Sequence, residues 1–239
     1  MSYLLLSNWF ERNGFEVWKL KTLGDWLFFL GILIGGFFIF WLIAKAIKRN
    51  RTPEKAAERV AKKLTRLGGK DSKVYRNIVI RNSREAAECE MLWLSQDNVH
   101  LIKVFNRGTQ VKGQMGSKNW TIYYNEGNET VLNPLIPLGR QKDVLNYLFV
   151  ENHLGKIPIN YLVIFADTYS YPRIKVMGFG GALAYRDLRK WRKEHPMDKE
   201  VRWKRDRVKA LLDQAMEETE TNRVYLTMQA KQKEENTND

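Results

Sequence analysis

The chain holds 239 residues, enough for one domain of useful size plus extensions. Its 40 Lys and Arg outnumber its 27 Asp and Glu, a formal net charge of +13. A single cysteine, Cys89, excludes an intramolecular disulfide and fits a reducing compartment, and three dispersed histidines give no zinc-site spacing.

Residues 1–25 mix three acids and three bases with Tyr3, Trp9, Phe10, Phe15 and Trp18. Such a mixture suits a membrane interface or a partly ordered leader, and both readings stay open. Trp26–Ala44 is an uncharged run of 19 residues. A helix of that length crosses a hydrocarbon core of roughly 30 Å, and Trp26 and Trp41 lie near its ends, where indoles favour the interface. Ala44-Lys45-Ala46 mimics a signal-peptidase site, but the apolar run is too long and begins too late. Residues 45–70 carry ten Lys and Arg against two acids, which places the C-terminal part in the cytoplasm of a single-pass membrane protein. Gly31 and Gly35, with Gly36 beside them, would let two such helices approach as a homodimer.

Thr52-Pro53-Glu54 combines a capping residue, a proline at the first helical position and an early acid, so a helix starts there. Ala57, Val60, Ala61, Leu64 and Leu67 make its apolar stripe, and Gly68-Gly69 ends it. The opposite face (Lys55, Arg59, Lys62, Lys63, Arg66) reads either as a surface for anionic headgroups or as an ordinary solvated face. Residues 45–69 are therefore assigned to a basic juxtamembrane helix.

Residues 70–185 read as an α/β domain. Val74–Ile80 is expected to be a strand, and Glu88–Leu94 and Val99–Asn106 to form a hairpin around Gln96-Asp97-Asn98. Alternation then places Glu88, Glu90, Leu92 and Leu94 on one face, with Val99, Leu101, Lys103 and Phe105 on one face of the next strand. Trp120–Tyr124 and Thr130–Leu132 suggest a second hairpin, Pro137 starts a helix reaching about Asn152, and Asn160–Phe165 and Ile174–Met177 read as strands. Residues 186–209 hold eleven bases and five acids with Trp191 and Trp203 among them, whereas 210–239 hold seven acids and three bases. Helices are expected over 186–230 and a disordered tail over 231–239. Arg189, Lys190, Arg202, Lys204 and Arg205 are the candidates for phosphate contacts, with a solvated helix as the alternative. Gly178-Phe179-Gly180-Gly181 lacks the spacing of a nucleotide-binding loop.

Over roughly residues 65–180 the chain resembles the nuclease-related domain, NERD, of the PD-(D/E)xK nuclease superfamily. Glu88-Cys89-Glu90 stands where that family reads E-x-D, and Ile102-Lys103-Val104-Phe105-Asn106 where it reads I-E-x-K-N. Val111-Lys112-Gly113, Trp120 and Asn133-Pro134-Leu135 follow at family-like spacing, and Asp71 with Val74-Tyr75-Arg76-Asn77 resembles the family's G-E-x-x-V-Y-R segment, with Asp for Glu. The resemblance implies a restriction-endonuclease-like mixed sheet. It also implies a site at Asp71, Glu88, Glu90, Lys103 and Phe105 that has lost both signature residues. In active relatives acids hold Mg²⁺ or Mn²⁺ and a lysine helps position water. Here Lys103 stands at the second acid's place and Phe105 at the lysine's, so no cofactor is expected, and Glu90 is the one metal ligand if any remains. A Glu90–Lys103 ion pair is expected instead. The leading expectation is a membrane-anchored pseudonuclease that binds nucleic acid or a protein complex without catalysis. Two others stay open: an active nuclease whose lysine has moved to Lys112 or Lys118, and an unrelated membrane-tethered adaptor.

Overall fold

The computed structural model describes residues 23–50, 52–69, 71–96, 98–167, 170–196 and 205–238. The chain forms two units, residues 1–49 and 50–239. The first holds all but the last residue of helix α1, Leu23–Asn50. Within it Leu27–Ile47 is long and apolar enough to cross a membrane, and none of that stretch is buried. Phe37 and Phe40 are among its most exposed side chains, and a Cβ added at Gly31, Gly35 or Gly36 would meet only open space. An apolar surface open on every side is what a lipid solvent accommodates and water does not. The helix runs past the expected end at Ala44; Lys45 sits over the Trp41 ring at 4.8 Å.

The second unit begins with helix α2, Pro53–Gly68, capped by Thr52, whose Oγ1 accepts the Lys55 N–H at 3.4 Å. A Cβ at Gly68 would collide with the Ser72 side chain, and Gly69 takes φ +80°, so this glycine pair both closes the helix and lets the chain turn tightly. Ala56, Ala57, Val60 and Leu64 are buried against Met91, Trp93, Ile102, Val104, Leu162 and Ile164. Burying Val60 and Leu64 contributes about 1.5–3 kcal/mol each. The basic face does not point uniformly to solvent. Arg59 donates to the Ala166 carbonyl at 3.2 Å, and Lys63 donates to the Tyr185 carbonyl at 2.6 Å while lying over the Tyr185 ring. Burial and the nearby Arg189 lower the Lys63 pKa, against the pull of Asp187. Lys55 and Lys62 both pair with Glu58. The basic juxtamembrane helix, whose basic face reads equally as a headgroup surface or a solvated one, is therefore docked on the domain.

Five strands make the main sheet in the order β1-β2-β3-β7-β9: Lys73–Arg81, Ala86–Leu94, Val99–Phe105, Ile159–Phe165 and Ala182–Ala184. The first three are antiparallel, and β7 and β9 add in parallel. A second sheet runs β6-β5-β4-β8, from Gly127–Leu132, Asn119–Tyr124, Gln110–Gln114 and Arg173–Met177. Helix α3, Leu135–Glu151, buries Val144, Leu145, Leu148 and Phe149 in the core that also takes Val111, Trp120 and Ile122 from the second sheet. The architecture is mixed α/β: an apolar N-terminal helix, mixed sheets and C-terminal helices.

After a 3₁₀ turn at Tyr185–Asp187 come α4, Leu188–Glu194, α5, Arg205–Glu217, and α6, Thr219–Asn238. The expected disordered tail is corrected: α6 stays helical through Asn238, in a stretch with neither Gly nor Pro. Helix α5 is fastened to β1 at Asp213, which accepts from Tyr75 at 2.6 Å, Lys73 at 2.7 Å and Lys209 at 3.1 Å. Burial acts to raise the Asp213 carboxyl, but these three hydrogen bonds outweigh it and hold its pKa at about 2. Because this lies below the ordinary carboxylate value, the stabilisation is present above about pH 4 and lost as pH falls towards about 2. Asp213→Asn should therefore flatten the acid limb of a stability-against-pH curve. At neutral pH it should cost about 1–2 kcal/mol, discounted for partial exposure, in denaturant melts.

Candidate functional site

The hairpin of β2 and β3 carries the expected cluster, and its geometry turns on Glu90. The β1–β2 ladder pairs Lys73 with Leu94 through Arg76 with Met91, then resumes at Ile78 with Cys89. The omitted pair is Asn77 opposite Glu90. Asn77 has φ +51°, a left-handed conformation that asparagine tolerates better than most side chains. On the other side, the β2–β3 ladder ends at Met91 with Ile102, so Glu90 faces Lys103 just past the last pair. Glu90 thus stands where both of its neighbours loosen their pairing. Beyond this point the core-facing residues of β2 change parity, from Leu92 and Leu94 to Cys89 and Ala87. The uniform alternation expected over Glu88–Leu94 is corrected accordingly.

The gap opens into a hollow of about 400 Å³ lined by Asn77, Glu88, Glu90, Ile102, Lys103 and the start of α3, including Pro134, Pro137 and Gln141. Lys103 Nζ lies 2.7 Å from Glu90 Oε2, with the side chains 43% and 30% exposed. The pair is wet enough that its own contribution to stability is under about 1 kcal/mol. Gln141 ties α3 to β2 by donating to the Glu88 carbonyl at 2.7 Å.

The start of α3 offers the hollow little. Asn133 Oδ1 accepts the Leu135 N–H and its carbonyl accepts the Ile136 N–H, Pro137 has no N–H, and the Leu138 N–H goes to Pro134 O. Asn133 also donates to the Met115 and Ser117 carbonyls at 2.9 and 2.7 Å. The Asn-Pro-Leu element is thereby a buried clamp between α3 and the β4–β5 loop. An asparagine preceding a proline signals a turn, but its set of bonds to both sides was not legible in the sequence.

The remaining candidate residues are not brought to the hollow as a set. Glu88 lines it but is half-exposed and lies 3.5 Å from Arg223 of α6. Asp71 is outside it, exposed, and 3.5 Å from Arg205 of α5. Phe105 stacks on Phe165, its directly opposed partner on β7, with centroids 5.1 Å apart and planes nearly parallel. It belongs to the core margin. Lys112 stands on the second sheet over the Tyr123 ring, and neither it nor Lys118 lines the hollow. Arg205 is engaged with Asp71, Lys190 lies 3.8 Å from Glu194, and Arg189 is exposed. Arg202, Lys204 and the turn residue Asp97 fall outside the described residues.

A divalent ion of the Mg²⁺ type needs several oxygen ligands in fixed geometry. The hollow supplies Glu88 and Glu90, and an ammonium occupies the first coordination distance of Glu90. Among the described residues no group of three or more His, Cys, Asp or Glu side chains is placed to hold an ion. The donor set does not fit the metal of an active nuclease.

No curated protein and no solved structure matches the chain. The family model of the nuclease-related domain matches residues 52–166, from the cap of α2 to just past β7. That range includes the helix expected as a basic juxtamembrane segment, and it holds the ladder break, the hollow and the Glu90–Lys103 pair. Residues 52–166 of this chain are a nuclease-related domain, NERD.

Proposed function

We propose that the chain is a membrane-anchored, nuclease-related module that binds its partner without cleaving it. In this reading α1 is the anchor and residues 50–239 face the cytoplasm. One observation carries the non-catalytic reading: the Lys103 ammonium sits 2.7 Å from the Glu90 carboxylate, in the hollow where a metal would need that carboxylate free. Phe105, stacked on Phe165, supports the same reading, because among the described residues the lysine that lines the hollow is Lys103, and it is paired with Glu90. The orientation rests on the ten bases of residues 45–70.

Two measurements on the full-length protein test this. Calorimetric titration with Mn²⁺ in detergent should show no site tighter than about millimolar; a micromolar site lost in Glu90→Ala would refute the non-catalytic reading. Protease added outside intact cells should leave the domain uncut, and efficient digestion there would reverse the topology.

A further inference from the structure

We propose that the outer face of the second sheet is a docking surface for single-stranded nucleic acid. The inference rests on the reading of this domain as a binding module and assigns that module a surface away from the hollow. Val111, Trp120 and Ile122 of β4 and β5 point into the core, so the alternate positions point outward. Register places Gln110 beside Arg173 and Tyr123, and Lys112 beside Lys175 and Thr121. Arg173, Lys112 and Lys175 are all exposed. Lys112 and Lys175 are directly opposed on neighbouring strands, where like charges repel. No described acid pairs with any of the three cations. Glu129, on the neighbouring strand β6, is opposite buried Ile122 and accepts the Tyr124 hydroxyl at 2.8 Å.

A sheet face that keeps two cations opposed and unneutralised is complementary to an anion that can bridge them. Lys112 Nζ stands 5.1 Å from the Tyr123 ring centroid, so a partly exposed aromatic lies beside the cations. A flexible chain of phosphates with stackable bases satisfies both features: phosphates meet Lys112, Lys175 and Arg173, and a base meets Tyr123. A rigid duplex presents no free base face to Tyr123.

Fluorescence anisotropy on the full-length protein in detergent, with labelled oligouridylate and oligodeoxythymidylate, tests this. Lys112→Ala with Arg173→Ala and Lys175→Ala should weaken binding at least about tenfold. The triple change should also flatten the slope of log affinity against log salt by about 2, near 0.7 for each phosphate no longer neutralised. Tyr123→Leu should weaken binding with the slope unchanged. Melting should hold or rise in the triple variant, since repulsion is removed, so weaker binding there is not a folding defect. Binding unchanged in the triple variant but abolished in Arg189→Ala with Lys190→Ala overturns the sheet face and leaves the binding module standing. No oligonucleotide binding at any salt overturns the nucleic-acid partner itself. Capture by phosphatidylserine vesicles that the triple change abolishes, without oligonucleotide binding, would make the face a membrane contact and overturn the proposal.

Discussion

Lys103→Glu should convert the hollow from a closed ion pair into a metal site. The substitution removes the ammonium 2.7 Å from Glu90 and leaves three carboxylates, at positions 88, 90 and 103, around one opening. Without metal their repulsion should destabilise the variant by about 1 kcal/mol. With Mn²⁺ it should bind at least about tenfold more tightly than the native chain, and its melting temperature should rise with metal concentration while the native one does not. Lys103→Gln, which frees Glu90 without adding an acid, should gain much less. Restoring the family lysine as well is a poorer experiment than the sequence suggests. Phe105 stacks on Phe165, and a lysine there would cost about 2–4 kcal/mol of packing and desolvation. Metal affinity without cleavage is therefore the expected outcome of the single change.

The largest stability effect is expected at Trp93. Its ring is fully buried and stacks on His100 with centroids 4.7 Å apart, and Trp191 meets the other ring edge-on. Its Nε1–H donates to Ser72 Oγ at 2.9 Å, at the chain reversal that follows α2. Trp93 thus joins α2, the main sheet and α4. Trp93→Ala should cost about 3–5 kcal/mol in chemical denaturation, through cavity formation. Trp93→Phe keeps an aromatic ring and loses the Ser72 hydrogen bond and some volume, so about 1–2 kcal/mol is expected. Equal losses in the two variants would mean that the hydrogen bond, not the ring, holds α2 in place.

The hairpin and the Glu90–Lys103 contact were legible because strand alternation is local: two runs and a turn suffice to place side chains across from one another. What was not legible depends on distant pairing. Strand β4 is short and polar, contains Gly113, and takes its parallel partner, β8, from some sixty residues later. Gly113 itself makes sense only beside Trp120, whose ring a Cβ there would approach to 2.5 Å. The basic face of α2 stayed open for a related reason: composition cannot tell a lysine awaiting lipid from one whose Nζ donates to a carbonyl, as Lys63 does at Tyr185. The left-handed Asn77, hidden in a run that otherwise reads as strand, opens the ladder opposite Glu90.

Whether this nuclease-related domain binds without cutting is decided by incubating the full-length protein with labelled single- and double-stranded DNA and RNA, with Mg²⁺ or Mn²⁺ in excess. Intact nucleic acid is expected, with native protein and Glu90→Ala indistinguishable. Metal-dependent cleavage by the native chain that disappears in Glu90→Ala would contradict the non-catalytic reading.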